Sequence, residues 1–214
     1  MRFRDRVDAG RHVAQCVAHL RGRDVVVLGL PRGGVPVAFE VAASLQAPLD
    51  VIVVRKLGLP SQPELAMGAI GEGGFRVEDP TVVDSGWVTP DEWEVVEARE
   101  RRELDQQVLR FRRGRDRIDL HGRVAVVVDD GVATGATARV ACEIARHLGA
   151  ATVVLAAPVA SPQAVERMTD ADEIVCASTP RRFGSVGAHY DDFSPTSDAE
   201  VVALLDEAAR QGWS

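Results

Sequence analysis

Residues Val124 to Thr137 read VAVVVDDGVATGAT. The run Val124–Val128 is too uniformly apolar for a strand with one wet face, so it is expected to be a strand buried on both sides, closed by the pair Asp129-Asp130. A loop of Gly131, Val132, Ala133, Thr134, Gly135, Ala136 and Thr137 follows and leads into a helix expected from about Thr137 to Leu148. The first turn of such a helix offers N–H groups that have no partner inside the helix, at the positive end of its dipole. With two threonine hydroxyls, and with Gly135 letting the backbone come close, this is a cradle for phosphate. A carboxylate pair cannot bind phosphate. Asp129 and Asp130 must therefore address another part of the same ligand, and adjacent ribose hydroxyls or a magnesium ion suit acceptor-only side chains. A sugar carrying a 5′-phosphate meets both demands.

Similar units lie on either side. Upstream, an amphipathic helix is expected from an N-cap at about Asp8, with Val13, Cys16, Val17 and Leu20 on one face. Val25 to Leu30 reads as a strand, Pro31-Arg32-Gly33-Gly34 as a tight turn and Val35 to Leu45 as a helix. A second buried strand is expected over Leu49 to Val54, ending in Arg55 and Lys56. Downstream come a strand over Thr152 to Pro158, a short helix near Pro162 to Met168 and a strand over Glu173 to Ala177. Apolar strands alternating with helices indicate an α/β fold: a twisted, mainly parallel sheet covered on both faces. In open sheets of this kind ligands bind beyond the carboxyl ends of the strands, where the polar residues singled out here fall.

Between Leu57 and Arg113 this alternation is interrupted. Met67 to Ile70 and Phe75 to Val77 flank Gly71 to Gly74 as a hairpin would, and Leu57 to Gly74 is a candidate lid. Val88 to Arg113 reads as a long charged helix with Trp93, Val96, Leu104, Val108 and Phe111 as its packing stripe. Its arginines suggest a nucleic-acid face, but interleaved glutamates favour a solvated helix with pairs such as Glu97 to Arg101.

The chain has 214 residues, 46% hydrophobic and 27% charged, which suits a single domain with an inserted hairpin and long helix at about 57–117 and a C-terminal hood at about 178–214. Its net charge of −7 argues against wholesale binding to nucleic acid or an anionic membrane, so a polyanion must be met locally. With no apolar run of membrane-span length, a polar N-terminus, and three cysteines (Cys16, Cys142 and Cys176) that read as reduced core thiols, the expected location is the cytoplasm.

The stretch Asp129 to Thr137 resembles the type I phosphoribosyltransferases, which use phosphoribosyl pyrophosphate (PRPP). The resemblance implies that Asp129 and Asp130 face the ribose hydroxyls, directly or through water on magnesium, and that Thr134, Gly135, Ala136 and Thr137, beside Gly131 and Ala133, hold the 5′-phosphate. Arg32, Gly33 and Gly34 stand where the family binds pyrophosphate after its first strand, and Arg55-Lys56 with Gly58 and Pro60 is similar to an Arg-Lys stretch of the adenine enzymes. Arg55 and Lys56, with Arg32, are expected to supply the positive charge that a departing pyrophosphate needs, which makes Arg55 and Lys56 catalytic candidates beside Asp129 and Asp130; an ordinary strand-to-helix turn explains the glycines equally well, and strand ends often carry solvated charge. Order and spacing agree over roughly residues 25 to 160.

Transfer of ribose 5-phosphate from PRPP to a nitrogen acceptor such as a nucleobase, with release of pyrophosphate and dependence on Mg2+, is therefore the expected activity, with a homodimer an admissible assembly. A regulatory protein that binds PRPP or a nucleotide without turnover is the alternative. Ala133 stands where enzymes acting on 6-oxopurines carry a carboxylate, which argues against that specificity. Asp129 could instead be a phosphohydrolase nucleophile, but the Thr134–Thr137 loop is then unexplained; Walker and GxGxxG motifs are absent. In the hood, Phe183, Tyr190 and Phe193 could stack on a base or anchor the terminal helix. His189, Asp191 and Asp192 read as loop or cap residues before a helix from Ser197 to Ala209, where Ser197 and Glu200 form a capping-box pattern.

Overall fold

The computed structural model describes residues 1–213. Helix α1 (Arg6–Cys16) begins at Asp5, whose side chain accepts from the Asp8 N–H, so the N-cap lies three residues before the expected one. The chain passes through a 3₁₀ turn at Ala18–Leu20 and enters β1 (Val25–Gly29), α2 (Gly34–Leu45) and β2 (Leu49–Val51). The segment expected to be an insertion follows as β3 (Val54–Leu59), β4 (Gln62–Gly71), β5 (Arg76–Glu78), α3 (Pro80–Ser85) and α4 (Pro90–Arg112). The alternation then resumes with β6 (Val124–Val128), α5 (Ala136–His147), β7 (Thr152–Val159), α6 (Pro162–Arg167), β8 (Glu173–Ser178) and α7 (Asp198–Gln211).

The fold is α/β. Five parallel strands form one sheet in the order β2-β1-β6-β7-β8. β6 is central, registered Val25↔Val124 through Gly29↔Val128 on one side and Val124↔Thr152 through Val128↔Ala156 on the other. Successive residues of a strand point to opposite faces, and here both faces are covered. Val25, Val27, Val126 and Val128 join the core that includes α2 and α7, whereas Val26, Leu28, Ala125 and Val127 join the core built on α5. That double burial is the physical reason the strands read as unbroken valine-rich runs.

Several expectations need correction. The second strand stops at Val51; Ile52 and Val53 are buried in the turn that follows, and Val54 opens β3 in a separate antiparallel sheet ordered β3-β4-β5. Arg55 and Lys56 therefore lie inside a strand and not at the end of one. The hairpin expected around Gly71–Gly74 is present, with β4 and β5 registered Gly68↔Glu78 to Ile70↔Arg76, and the rest of the Leu57–Gly74 stretch is likewise paired, β3 with β4 from Val54↔Gly71 to Leu59↔Gln62 with irregular register around Gly58. Helix α4 starts at Thr89 with a capping box to Glu92 and buries Trp93, Val96, Leu104 and Phe111 as its stripe, with Val108 partly buried beside them; Arg101 pairs with Glu97 at 3.0 Å. Cys142 is buried, but Cys16 is exposed and no core thiol. No helix among the described residues is long and apolar enough to cross a membrane.

Candidate phosphosugar site

In this strand order the chain leaves β1 toward one edge of the sheet, through β2, and leaves β6 toward the other, through β7 and β8. The crevice beyond the carboxyl ends of β1 and β6 is therefore a topological switch point, where open α/β sheets place ligands. Two loops flank it: Leu30–Gly33 after β1 and Asp129–Gly135 after β6. The glycines let them meet. A Cβ on Gly34 would fall 2.5 Å from the Val128 carbonyl oxygen, and one on Gly33 would collide with the Asp130 carboxylate.

The loop after β6 is pinned from behind by the end of β7 and the residues that follow it. The Val132 N–H donates to the Val159 carbonyl (2.9 Å), the Ser161 N–H to the Val132 carbonyl (2.9 Å) and the Ser161 hydroxyl to the Ala133 carbonyl (2.7 Å). Gly135 sits at φ +79°, a left-handed conformation suited to glycine, and turns the chain into α5, where its carbonyl accepts from the Arg139 N–H at 2.8 Å. The Ala136 N–H reaches the Thr134 hydroxyl at 3.4 Å, a long contact, and the Thr137 and Ala138 amides find no protein acceptor among the described residues. An anion facing this turn meets free donors and the positive end of α5.

Asp129 and Asp130 are half-buried at the mouth of the crevice. Asp129 accepts from the Asp130 N–H at 2.9 Å; burial and the neighbouring Asp130 charge push its carboxyl up to about 7. Burial also raises Asp130, opposed by Arg6, whose Nε donates to Asp130 Oδ2 at 2.9 Å. The Tyr190 hydroxyl donates to the Asp130 backbone carbonyl at 2.6 Å, and burial pushes that phenol up. Two acidic groups are held side by side here, where hydroxyl donors or a cation would relieve their repulsion.

A family model described as phosphoribosyl transferase domain matches residues 6–191. The chain belongs to the phosphoribosyl transferase family. A Mycobacterium tuberculosis protein provisionally named a phosphoribosyl transferase is 59% identical over 209 residues, which cover 97% of this chain and 47% of that protein, and its counterpart in a second strain matches equally. The chain thus spans about half the length of the curated relatives it matches. The crystal structure of TT1426 from Thermus thermophilus is 46% identical, with a TM-score of 0.85 and 100% of both chains covered.

In this phosphoribosyl transferase fold the expected site residues do not all converge. Gly33, Gly34 and the stretch Asp129 to Thr137 share the switch-point crevice. Arg32 extends from the same turn, but Asp198 at the start of α7 holds its guanidinium, and Asp198 also binds Arg110. Arg55 and Lys56 are neighbours in β3 and so diverge. Arg55 is bound to Glu100 of α4, whereas Lys56 is exposed and lines, with Ala136 and Arg139, a cleft of about 210 Å³ between β4 and α5.

Three residues, Arg6, Arg139 and Arg167, went unnoticed in the sequence, and Tyr190 was singled out there only for ring packing. Arg6 and Tyr190 grip Asp130 from opposite ends of the chain, and no local pattern marks that contact. Arg139 and Arg167 line a cleft of about 290 Å³ with Thr134, Gly135 and Ala136. Arg139 was detectable as a cation in the first turn of the helix after the loop. In the hood, Tyr190 is buried and packs with Phe3 and Phe193, so these rings anchor the N-terminal segment and not the terminal helix. His189 Nε2 is 2.8 Å from the Phe183 carbonyl, Asp191 pairs with Arg2 at 2.6 Å, and Asp192 accepts from the Ser194 N–H. Ser197 caps α7 through the Glu200 N–H, one half of the expected box.

Proposed function

We propose that the protein transfers ribose 5-phosphate from PRPP to a nitrogen acceptor, with loss of pyrophosphate. One observation carries the reading: adjacent carboxylates and the unpaired first-turn amides of α5 share one loop at the switch point of the sheet. In this reading Thr134 to Thr137 hold the 5′-phosphate, Asp129 and Asp130 orient the ribose hydroxyls, and the Arg32–Gly34 turn faces the pyrophosphate with Lys56 nearby. Remote phosphate binding then aligns the anomeric carbon. As the glycosidic bond breaks, positive charge grows at that carbon and negative charge on the leaving group, and preorganised donors stabilise the latter.

Two carboxylates with no third acidic, histidine or cysteine partner among the described residues fit a magnesium ion held chiefly by substrate oxygens and water, as this ion prefers. When bound, it would supply charge neutralisation for the departing pyrophosphate, with Asp129 and Asp130 as its protein contacts. The acceptor would enter beside Ala133 and the hood. The absence of a carboxylate at that position favours an acceptor other than a 6-oxopurine.

A binder without turnover is the second reading. It is favoured by the pairing of Arg32 with Asp198 and of Arg55 with Glu100, which leaves Lys56 as the uncommitted cation of the three. Thermal shift with PRPP, with and without magnesium, tests the shared site, and pyrophosphate release across purines, pyrimidines and other amines separates the readings. Under the transferase reading Asp130→Asn and Thr137→Val each lose about 10²-fold in turnover. A chain indifferent to PRPP overturns both; PRPP binding with no pyrophosphate from any acceptor leaves the regulatory one.

A further inference from the structure

The Arg6 side chain is held by three groups with separate roles. Its Nε donates to Asp130 Oδ2 at 2.9 Å, its Nη1 donates to the Ser194 carbonyl at 2.7 Å, and its plane lies over the Phe193 ring with 4.1 Å from Cζ to the centroid. The side chains of the ion pair are only 12% and 16% exposed, so this is no solvated surface contact. Phe193 in turn packs on Tyr190 with 4.9 Å between centroids, and the Tyr190 hydroxyl holds the Asp130 carbonyl. One carboxylate is thereby gripped at its side chain and its backbone from α1 and from the hood.

The grip leaves the two oxygens of Asp130 unequal. Oδ2 takes the Arg6 hydrogen bond and lies against Gly33, whereas Oδ1 takes no hydrogen bond from any other residue among the described residues. A carboxylate tethered through one oxygen presents the other in a fixed direction, which a freely rotating aspartate does not. We infer that Arg6 is a positioning residue for the phosphosugar: it aims Asp130 Oδ1 at a ribose hydroxyl and ties that aim to the docking of the hood.

The inference rests on the PRPP reading and deepens it. Arg6→Gln and Arg6→Lys are compared with wild type in PRPP titrations and, where pyrophosphate is released, in initial rates, alongside thermal midpoints. Arg6→Gln is expected to raise the Kd and KM for ribose 5-phosphate donors about tenfold, with a smaller change in acceptor KM, because one charge-assisted hydrogen bond is lost. Arg6→Lys keeps the charge but cannot serve Asp130 and Ser194 together as a fork does, so it should recover part of the loss. A purely structural role predicts lower midpoints with unchanged PRPP affinity in both variants, and that outcome overturns the inference while leaving the function intact. Should Arg6→Gln fail to fold, an Arg6→Lys protein that binds PRPP like wild type overturns it equally. A wild-type protein that ignores PRPP removes the function and this role together.

Discussion

Asp130 packs its carboxylate onto Gly33, so closely that a methyl group there would overlap Oδ2. Gly33 has φ −62° and ψ −30°, angles any residue adopts, so conformation alone would let alanine stabilise the chain by about 0.4–1 kcal/mol. Overpacking costs more, typically about 1–3 kcal/mol, and it decides the sign. Gly33→Ala is expected to lower stability by about 1–2 kcal/mol in urea denaturation and to weaken PRPP in calorimetric titration, since Asp130 must leave Arg6 or the turn must move. A variant as stable as wild type would show that the two loops do not meet in this way.

Gly135 faces the opposite constraint. Its φ of +79° costs an L-residue about 1–2 kcal/mol, while the new methyl would stand 3.2 Å from Met168 Cε, the end of a flexible side chain that can yield. Gly135→Ala should therefore lose about 1 kcal/mol through backbone strain. The stabilisation conferred by ribose 5-phosphate should shrink as well, measured as the ligand-induced shift of the thermal midpoint.

Acid sensitivity should reside partly at Asp198. Hydrogen bonds from Arg32 and Arg110 hold its carboxyl below the ordinary value of 3.8. A carboxylate with a depressed folded-state pKa contributes stability that is complete above its unfolded-state pKa, near ~3.9, and is lost as pH falls through the lower folded value. Midpoints recorded from neutral pH downward should drop below about pH 4, and Asp198→Asn should flatten that drop. An identical acid limb in the variant would assign the sensitivity elsewhere.

The buried charge cluster under α4 should be intolerant of partial removal. Arg112 meets Asp50 at 2.9 Å and binds Glu72, and these side chains are 7%, 6% and 7% exposed. Asp50 also accepts from the Val51 and Ile118 amides. Arg112→Met leaves two carboxylates buried without their cation, and breaking such a pair costs about 3–5 kcal/mol. Equilibrium urea unfolding reads this directly; a loss under about 1 kcal/mol would mean that water or rearrangement relieves the carboxylates.

Thiol labelling gives an independent check on packing. Burial pushes Cys142 up to about 12 and Cys176 up to about 11, which leaves little thiolate at mild alkaline pH, whereas Cys16 is exposed. Iodoacetamide followed by mass spectrometry should modify Cys16 first and Cys142 last in the native protein. Modification of Cys142 at a rate near that of Cys16 would contradict the placement of α5.

The five strands of the main sheet were legible because each signal is local: a valine-rich run, a breaker, and a helical period, all within a few residues. The same locality explains the error at Leu49–Val54. Ile52 and Val53 are buried whether they continue a strand or turn out of one, so hydrophobicity could not mark the end at Val51. Arg112 was hidden for a related reason, as one arginine among many on a helix whose charges are mostly solvated.

What the chain determines by itself is the turn proposed to hold phosphate: a buried strand, two carboxylates, and a glycine that turns the backbone into a helix with free amides, all set by residues adjacent in sequence. Which charges remain available to a ligand was decided only in three dimensions. Arg32 goes to Asp198, Arg55 to Glu100, and Arg6 crosses 124 residues of chain to reach Asp130. Such pairings depend on distance and burial between distant segments, and side-chain charge alone carries neither.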